Sequence, residues 1–330
     1  MSDGPDTLLK AEAVTVEYPV GAGLLGHGGS LRAVVDVDLT LAPGECHGLV
    51  GESGCGKSSL GRALVRLTDV TAGRIDFEGR DITHLSARAL RPIRRRMQMI
   101  FQDPQASLNP RFTVAQAVAE PLAIHRLAPD RAARSDRVQR LLSDVGLDES
   151  LADRYPHELS GGQRQRVGVA RALAVDPSFI VADEPVSALD VSVQAQLLNL
   201  LEDLRAQRDL AFLFISHDLR VVRHLCDHVS VMYLGRIVEQ APVATLFDAP
   251  RHPYTRALLE ALPSLEPGAP LADRLDGEVP SPLDPPRGCP FHPRCPVQDR
   301  PQACFETPPH PEPCGTSHSV ACYRADRGVT

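Results

Sequence analysis

The sequence predicts an α/β fold with an antiparallel β-region at its start, an inserted helical subdomain, and a small irregular cysteine-rich extension at its end. Three observations carry this reading. From Cys46 onward, the short apolar runs CHGLVG, FIVAD and AFLFIS alternate with helical patterns, as buried strands between helices do. Before them, AEAVTVEYPV and LRAVVDVDLTL alternate apolar and polar residues, the pattern of strands with one face covered. Beyond Glu266 the composition shifts: fourteen of the 29 prolines lie there, so that segment is loop-rich and needs a staple to be ordered.

The chain has 330 residues, enough for one large α/β domain and a small appendage, and 43% of them are hydrophobic, enough for a packed core. A net charge of -7 argues against nucleic acid as the main partner, which would favour a basic excess. No stretch approaches the ~18 consecutive apolar residues of a membrane-spanning helix. The start, MSDGPDTLLK, lacks the basic residues and apolar run of a signal peptide. The expectation is a chain kept in the cytosol, which serves a membrane only as a peripheral subunit.

Between the first two strands, GAGLLGHGGS reads as a flexible glycine-rich connector. CHGLVG runs into a glycine-rich turn and the helix SSLGRALVRL. Arg88, Arg91, Arg94, Arg95 and Arg96 read as a solvated helix face. From about Phe112 to Pro156 the pattern is helical: Val138, Leu141, Leu142 and Val145 share one face, and Gly146 stops that helix. A helix from Ser160 to about Ala174 is broken by Asp176-Pro177. After FIVAD comes a helix bearing Val193, Leu197, Leu200, Leu201 and Leu204. VSVMYLGRIVEQ predicts a hairpin that turns at Gly235.

Three motifs carry chemistry. GESGCGKS, Gly51 to Ser58, fits a phosphate loop and sits between a strand and a helix, where that chemistry requires it. Its glycines let backbone N–H groups close on phosphate oxygens, and the helix N-terminus adds partial positive charge. Lys57 would reach the β- and γ-phosphates, and Ser58 would ligate Mg²⁺. In FIVADE, a buried strand delivers Asp183 to its carboxyl end, where it would hold Mg²⁺, and Glu184 would polarise an attacking water. An acidic pair at a strand end also serves as a helix cap, but the phosphate loop favours the catalytic reading. LSGGQ, Leu159 to Gln163, opens a helix that Ser160 can cap, while Gly161 and Gly162 leave N–H groups bare for an anion. Two phosphate sites in one chain make sense if two chains share ATP.

In order, GESGCGKS, Gln102, LSGGQ, FIVADE, SALD (Ser187, Ala188, Leu189, Asp190) and His217 in ISHD resemble the ATPase cassette of ABC transporters. The resemblance implies a RecA-like core with ATP held between two cassettes, head to tail. It assigns Gly51, Ser53, Gly54, Gly56, Lys57, Ser58 and Ser59 to the nucleotide, with Tyr18 stacked on adenine. Ser58, Gln102 and Asp183 would hold Mg²⁺; Glu184, His217 and Gln102 would be catalytic. Leu159, Ser160, Gly161, Gly162 and Gln163 would clasp ATP on the partner chain, with Ser187 to Asp190 beside them.

FQDPQASLNPR, HPYTRALLEALP and the ending GCPFHPRCP…C…VACY narrow the resemblance to oligopeptide and dipeptide importers, and YPVGAGLLG and MQMIFQDP to the second of their two ATPase subunits. This implies an ATPase domain over 1–265, with its helical subdomain at about 112–156, and a C-terminal extension over 266–330. The implied partners are two membrane-spanning permease subunits, a second and paralogous ATPase and, indirectly, an extracytoplasmic solute-binding protein. The implied location is the cytoplasmic face of the inner membrane. An ATPase of DNA repair shares the motifs, but there a long coiled coil separates the phosphate loop from the signature, and no sustained heptads lie between Ser58 and Leu159. A translation-factor ATPase carries two cassettes, and one is found here.

Of eight cysteines, Cys289, Cys295, Cys304, Cys314 and Cys322 crowd near the end. In a reducing cytosol this suggests metal more than disulfides. Cys289, Cys295, Cys304 and Cys322 resemble the cysteines that hold a structural [4Fe–4S] cluster in some peptide-importer ATPases. Zinc is the alternative, and Cys314 could replace Cys304 or Cys322.

Overall fold

The computed structural model describes residues 7–21, 29–262 and 277–325. Most of the GAGLLGHGGS connector and the expected boundary at 265/266 lie outside those residues. The chain divides into two compact units, each gathered from separated segments. One contains Ala42–Glu45 and His84–Ile215; the other contains Thr7–Leu41, Cys46–Thr83 and the described part of Ser216–Thr330.

In the first unit three strands run parallel. Phe179–Asp183 pairs with Met97–Ile100 on one side and with Ala211–Ser216 on the other, so that Ile180 stands opposite Gln98 and Phe212. Every residue of Phe179–Asp183 and Ala211–Ser216 is buried, which is why both read as continuous apolar runs. Sequence signals fix the helices. Thr113 and Gln116 form a reciprocal capping box at the start of Val114–Ile124. Asp130 caps Arg131–Asp144, which ends before Gly146 at φ 66°, the left-handed conformation that favours glycine. Val138, Leu141, Leu142 and Val145 are all buried, as their spacing predicts. The arginine-rich helix Ala87–Arg94 is only partly a solvated face. Arg88 and Arg91 are exposed, but Arg94 and Arg95 are half-buried, and Arg95 Nε donates to the Val175 carbonyl at 3.1 Å. Long arginine stems can cover apolar surface while their heads find backbone acceptors.

In the second unit, Leu9–Val20 lies antiparallel between Gly29–Leu41 and Ala72–Phe77, and the short strand Arg80–Asp81 extends that sheet. Ala11, Val14 and Val16 are buried, and their sequence neighbours Glu12, Thr15 and Glu17 less so, as the alternation predicts. A second set of strands begins with Cys46–Val50, parallel to His228–Tyr233. His228–Tyr233 turns at Leu234-Gly235 into Arg236–Pro242, and Gly235 takes φ 80°. Arg236–Pro242 receives His318–Val320 from the extension on its other side, and Glu312–Gly315 pairs with that strand. The extension is therefore more regular than its proline content suggests. No helix among the described residues is long and apolar enough to cross a membrane.

Glu239 joins three segments of this second unit. It is fully buried, and its carboxylate accepts the backbone N–H groups of Arg251 at 2.7 Å and His252 at 2.9 Å. His318 Nε2 stands 2.9 Å from the same carboxylate. A buried charge is tolerated only when saturated with partners in this way. Glu239→Leu should orphan two backbone donors and lower stability by about 2–5 kcal/mol, the cost of leaving polar groups unpaired in the interior. Urea unfolding of the full chain measures it.

Candidate functional site

The glycine-rich turn joins the strand Cys46–Val50 to the helix Lys57–Leu64. Gly51, Gly54 and Gly56 adopt φ 153°, 78° and 109°. A Cβ on Gly51 would lie 2.2 Å from the Met232 carbonyl oxygen, and one on Gly56 2.1 Å from that of Ala33. Both distances are to backbone, so nothing can yield cheaply. No side chain caps the helix. Lys57 is buried and donates from Nζ to the carbonyls of Gly51 at 2.8 Å and Glu52 at 2.9 Å. The lysine thus lies along the loop it would serve. Ser53 is exposed; Ser58 and Ser59 are half-buried in the first helical turn.

In the other unit, Asp183 ends its strand almost wholly buried, in register with Ile215. Glu184 follows at φ 44°, an uncommon conformation for a non-glycine residue and one that concentrates at functional sites. Its N–H donates to the Ile215 carbonyl at 3.0 Å, which holds the strained residue in place. Gln102 Nε2 donates to Glu184 Oε2 at 3.1 Å. Two expected catalytic residues, 82 positions apart, are thereby brought together. Ser187 Oγ donates to the Glu184 carbonyl at 3.1 Å. Asp190 caps Val191–Arg208 by accepting from Val193 N at 3.0 Å, and hydrogen bonds from Ser192 and Val193 hold its carboxyl below the usual range.

Ser160 caps Gly161–Leu173 as expected, but within a capping box: Gln163 N donates to Ser160 Oγ at 3.2 Å, and Ser160 N to Gln163 Oε1 at 2.9 Å. Leu159 is buried and Ser160 exposed. A Cβ on Gly162 would lie 2.5 Å from Val193 Cγ1, so this glycine also lets the helix Val191–Arg208 approach. In that helix Leu198 is buried with Leu197, Leu201 and Leu204, whereas Val193 and Leu200 are half-buried. In the second unit, His217 is exposed just beyond the strand Ala211–Ser216, and Tyr18 is half-buried opposite Leu31.

The motifs did not point to the partners of Glu52. Its N–H donates to Tyr254 Oη at 2.9 Å, and its carboxylate takes both ends of the Arg294 guanidinium, at 2.7 and 3.0 Å. A carboxylate inside a phosphate loop was the available signal: it needs a cation, and sequence does not name which.

In the extension, Cys289, Cys295, Cys304 and Cys322 line one pocket, together with His292, Phe291 and Arg300. Cys314 is not among its walls. Burial, then the neighbouring cysteines, pushes the Cys289 thiol up to about 12; burial also raises Cys304 and Cys322. Among the described residues no group of three or more His, Cys, Asp or Glu side chains is drawn together as a single metal ion requires. Neither the [4Fe–4S] cluster nor the zinc alternative gains support from this arrangement.

Known proteins resemble the chain along nearly its whole length. The family described as "ABC transporter" matches residues 34–187, and "Oligopeptide/dipeptide transporter, C-terminal region" matches 238–304. A peptide ABC transporter ATP-binding protein of Sinorhizobium fredii, y4tS, is 54% identical over 96% of this chain and 90% of its own length. The oligopeptide transport ATP-binding protein AppF of Bacillus subtilis is 50% identical over 96% of this chain and 97% of its own. The ATP-binding cassette MJ0796, solved as a post-hydrolysis dimer with ADP and phosphate, superposes with a TM-score of 0.65 at 29% identity, over 72% of this chain and 99% of that one.

The loop geometry makes Gly56 a sensitive position. Gly56→Ala should force the loop away from the Ala33 carbonyl, lower stability by about 2–4 kcal/mol and abolish measurable nucleotide binding. Thermal unfolding and a fluorescent-nucleotide titration read the two effects.

Proposed function

Since the chain belongs to the ABC transporter ATP-binding family, on its oligopeptide/dipeptide branch, we propose that it hydrolyses ATP to power import of peptides through a membrane transporter. The observation that carries this is the 51–58 loop, a backbone cradle that only glycine can build and that holds Lys57 in place. The loop would receive the triphosphate, with Lys57 on the β- and γ-phosphates and Tyr18 against adenine. Ser58, Gln102 and Asp183 would hold Mg²⁺, which neutralises developing phosphate charge. Glu184 would accept a proton from the attacking water, oriented by Gln102 and assisted by His217. Residues 159–163 and 187–190 would complete the site of a partner ATPase.

This reading places the chain on the cytoplasmic side of the inner membrane, as a peripheral subunit. Its partners would be two permease subunits and a second, paralogous ATPase, fed by an extracytoplasmic solute-binding protein. The ATPase domain would run from 1 to 265, with a helical subdomain at about 112–156, and the extension from 266 to 330. Near-complete alignment with peptide transporter ATPases leaves no observation in favour of DNA repair or translation.

Within the same proposal, Cys289, Cys295, Cys304 and Cys322 would hold a [4Fe–4S] cluster. Support for this reading is that the four cysteines are among the walls of one pocket and Cys314 is not; four thiolates are the donor set such a cluster takes. The cluster would be structural, pinning a segment too small to build a core. Bound iron would also draw the protons from the buried thiols.

Two experiments test these roles. Glu184→Gln in the assembled transporter should keep ATP binding and lower turnover at least about 100-fold, because the general base is lost while the phosphate contacts stay; near-native turnover would overturn the assignment. Protein purified anaerobically should be brown and contain iron and labile sulfide in equal amounts. Cys289→Ser should lose both and Cys314→Ser should keep them; colourless wild-type protein without iron would refute the cluster.

A further inference from the structure

The second residue of the phosphate loop carries a charge of the wrong sign. Glu52 sets a carboxylate beside the backbone that would receive a polyanion, and like charges repel strongly where solvent is scarce. The structure offsets that charge with a residue 242 positions away. Arg294 Nη1 donates to Glu52 Oε2 at 2.7 Å and Nη2 to Oε1 at 3.0 Å, a two-pronged contact that fixes both position and plane. The Arg294 side chain is 5% exposed and that of Glu52 26%, so the pair is partly shielded from solvent and still open to salt.

Arg294 is itself held. It ends the 3₁₀ turn His292–Arg294, and its N–H donates to the Phe291 carbonyl at 3.0 Å. Phe291 packs on Tyr233 and Tyr254, with ring centroids 5.3 and 5.4 Å apart. Tyr254 in turn accepts the Glu52 N–H. The Glu52 carbonyl accepts from Lys57 Nζ. One loop residue is thus tied at its N–H, its carbonyl and its carboxylate, and two of the three ties come from segments far along the chain. Arg294 Nε is buried without a hydrogen-bond partner, which marks the arrangement as poorly optimised for stability alone.

We propose that Arg294 is a positioning residue for the nucleotide: it neutralises and orients Glu52 within the phosphate loop, so that the cysteine-bearing extension sets the affinity of that loop for ATP. The inference rests on the reading of residues 51–58 as the phosphate-binding loop. It makes the extension a determinant of ATP affinity as well as an appendage. By reciprocity, bound nucleotide must tighten the hold on the extension.

The test uses the full-length chain and a fluorescent MgATP titration at low and high salt. Arg294→Gln should raise Kd about tenfold at low salt, as one uncompensated charge beside a polyanion would, and less at high salt. Arg294→Lys should recover part of the affinity. Glu52→Gln/Arg294→Gln removes both charges and should return to within about threefold of wild type. Unchanged binding in Arg294→Gln overturns the proposal, and so does equal weakening in the single and double variants, since lost packing would affect both alike. Should Arg294→Gln fail to fold, hydrogen exchange of the wild-type chain decides: MgATP must slow exchange in the segment around 291–295, and unchanged exchange there overturns the proposal. Lys57→Ala is the separating control. If it binds nucleotide as wild type does, the phosphate-loop reading fails; if it weakens while Arg294→Gln does not, only the role of Arg294 fails.

Discussion

Main chain can approach main chain closely only where no side chain intervenes, and that constraint governs residues 51–56. Gly51 and Gly56 stand so close to the carbonyls of Met232 and Ala33 that any Cβ would collide with main chain. Those carbonyls belong to the strands His228–Tyr233 and Gly29–Leu41, which fixes how closely both must come to the turn. Lys57, buried over its own loop, satisfies its ammonium on two loop carbonyls. Close backbone approach and the two lysine hydrogen bonds together define the shape of the loop.

The acidic residues of the first unit are organised by a different device. Glu184 adopts a positive φ at the end of a buried parallel strand, and its N–H is claimed by the neighbouring strand at Ile215. Strain of this kind persists only where surroundings over-determine it. The same surroundings bring the Gln102 amide to its carboxylate. Orientation thus comes from sheet register, and the loop residue Gln102 needs only a short reach.

The elements around GESGCGKS, FIVADE and LSGGQ were legible because each couples a residue pattern to a local frame, a strand end or a helix start written in adjacent residues. FIVAD and AFLFIS were legible because a strand covered on both faces has little freedom in composition. Ser160 was legible as a cap, although the return bond from Gln163 was not drawn from the sequence. What sequence could not supply were pairings between distant segments. The Gly162 contact with Val193, the Tyr254 hydroxyl on Glu52 and the Arg294 fork each join segments whose approach is decided by the tertiary fold. The cysteines fall between these cases. Their crowding suggested metal and the resemblance singled out four of them, with Cys314 as a replacement; the walls of one pocket include those four and not Cys314.

The strand His318–Val320 has a consequence for the sheet edge it covers. It occupies the outer side of Arg236–Pro242, where Glu239 pairs with Val320 and Gln240 with Ser319. Without it, that strand would present a row of unpaired N–H and C=O groups next to buried Ile237 and Val238. An open, apolar edge of this sort recruits strands from other molecules. The extension therefore covers an edge that would otherwise be open to such pairing.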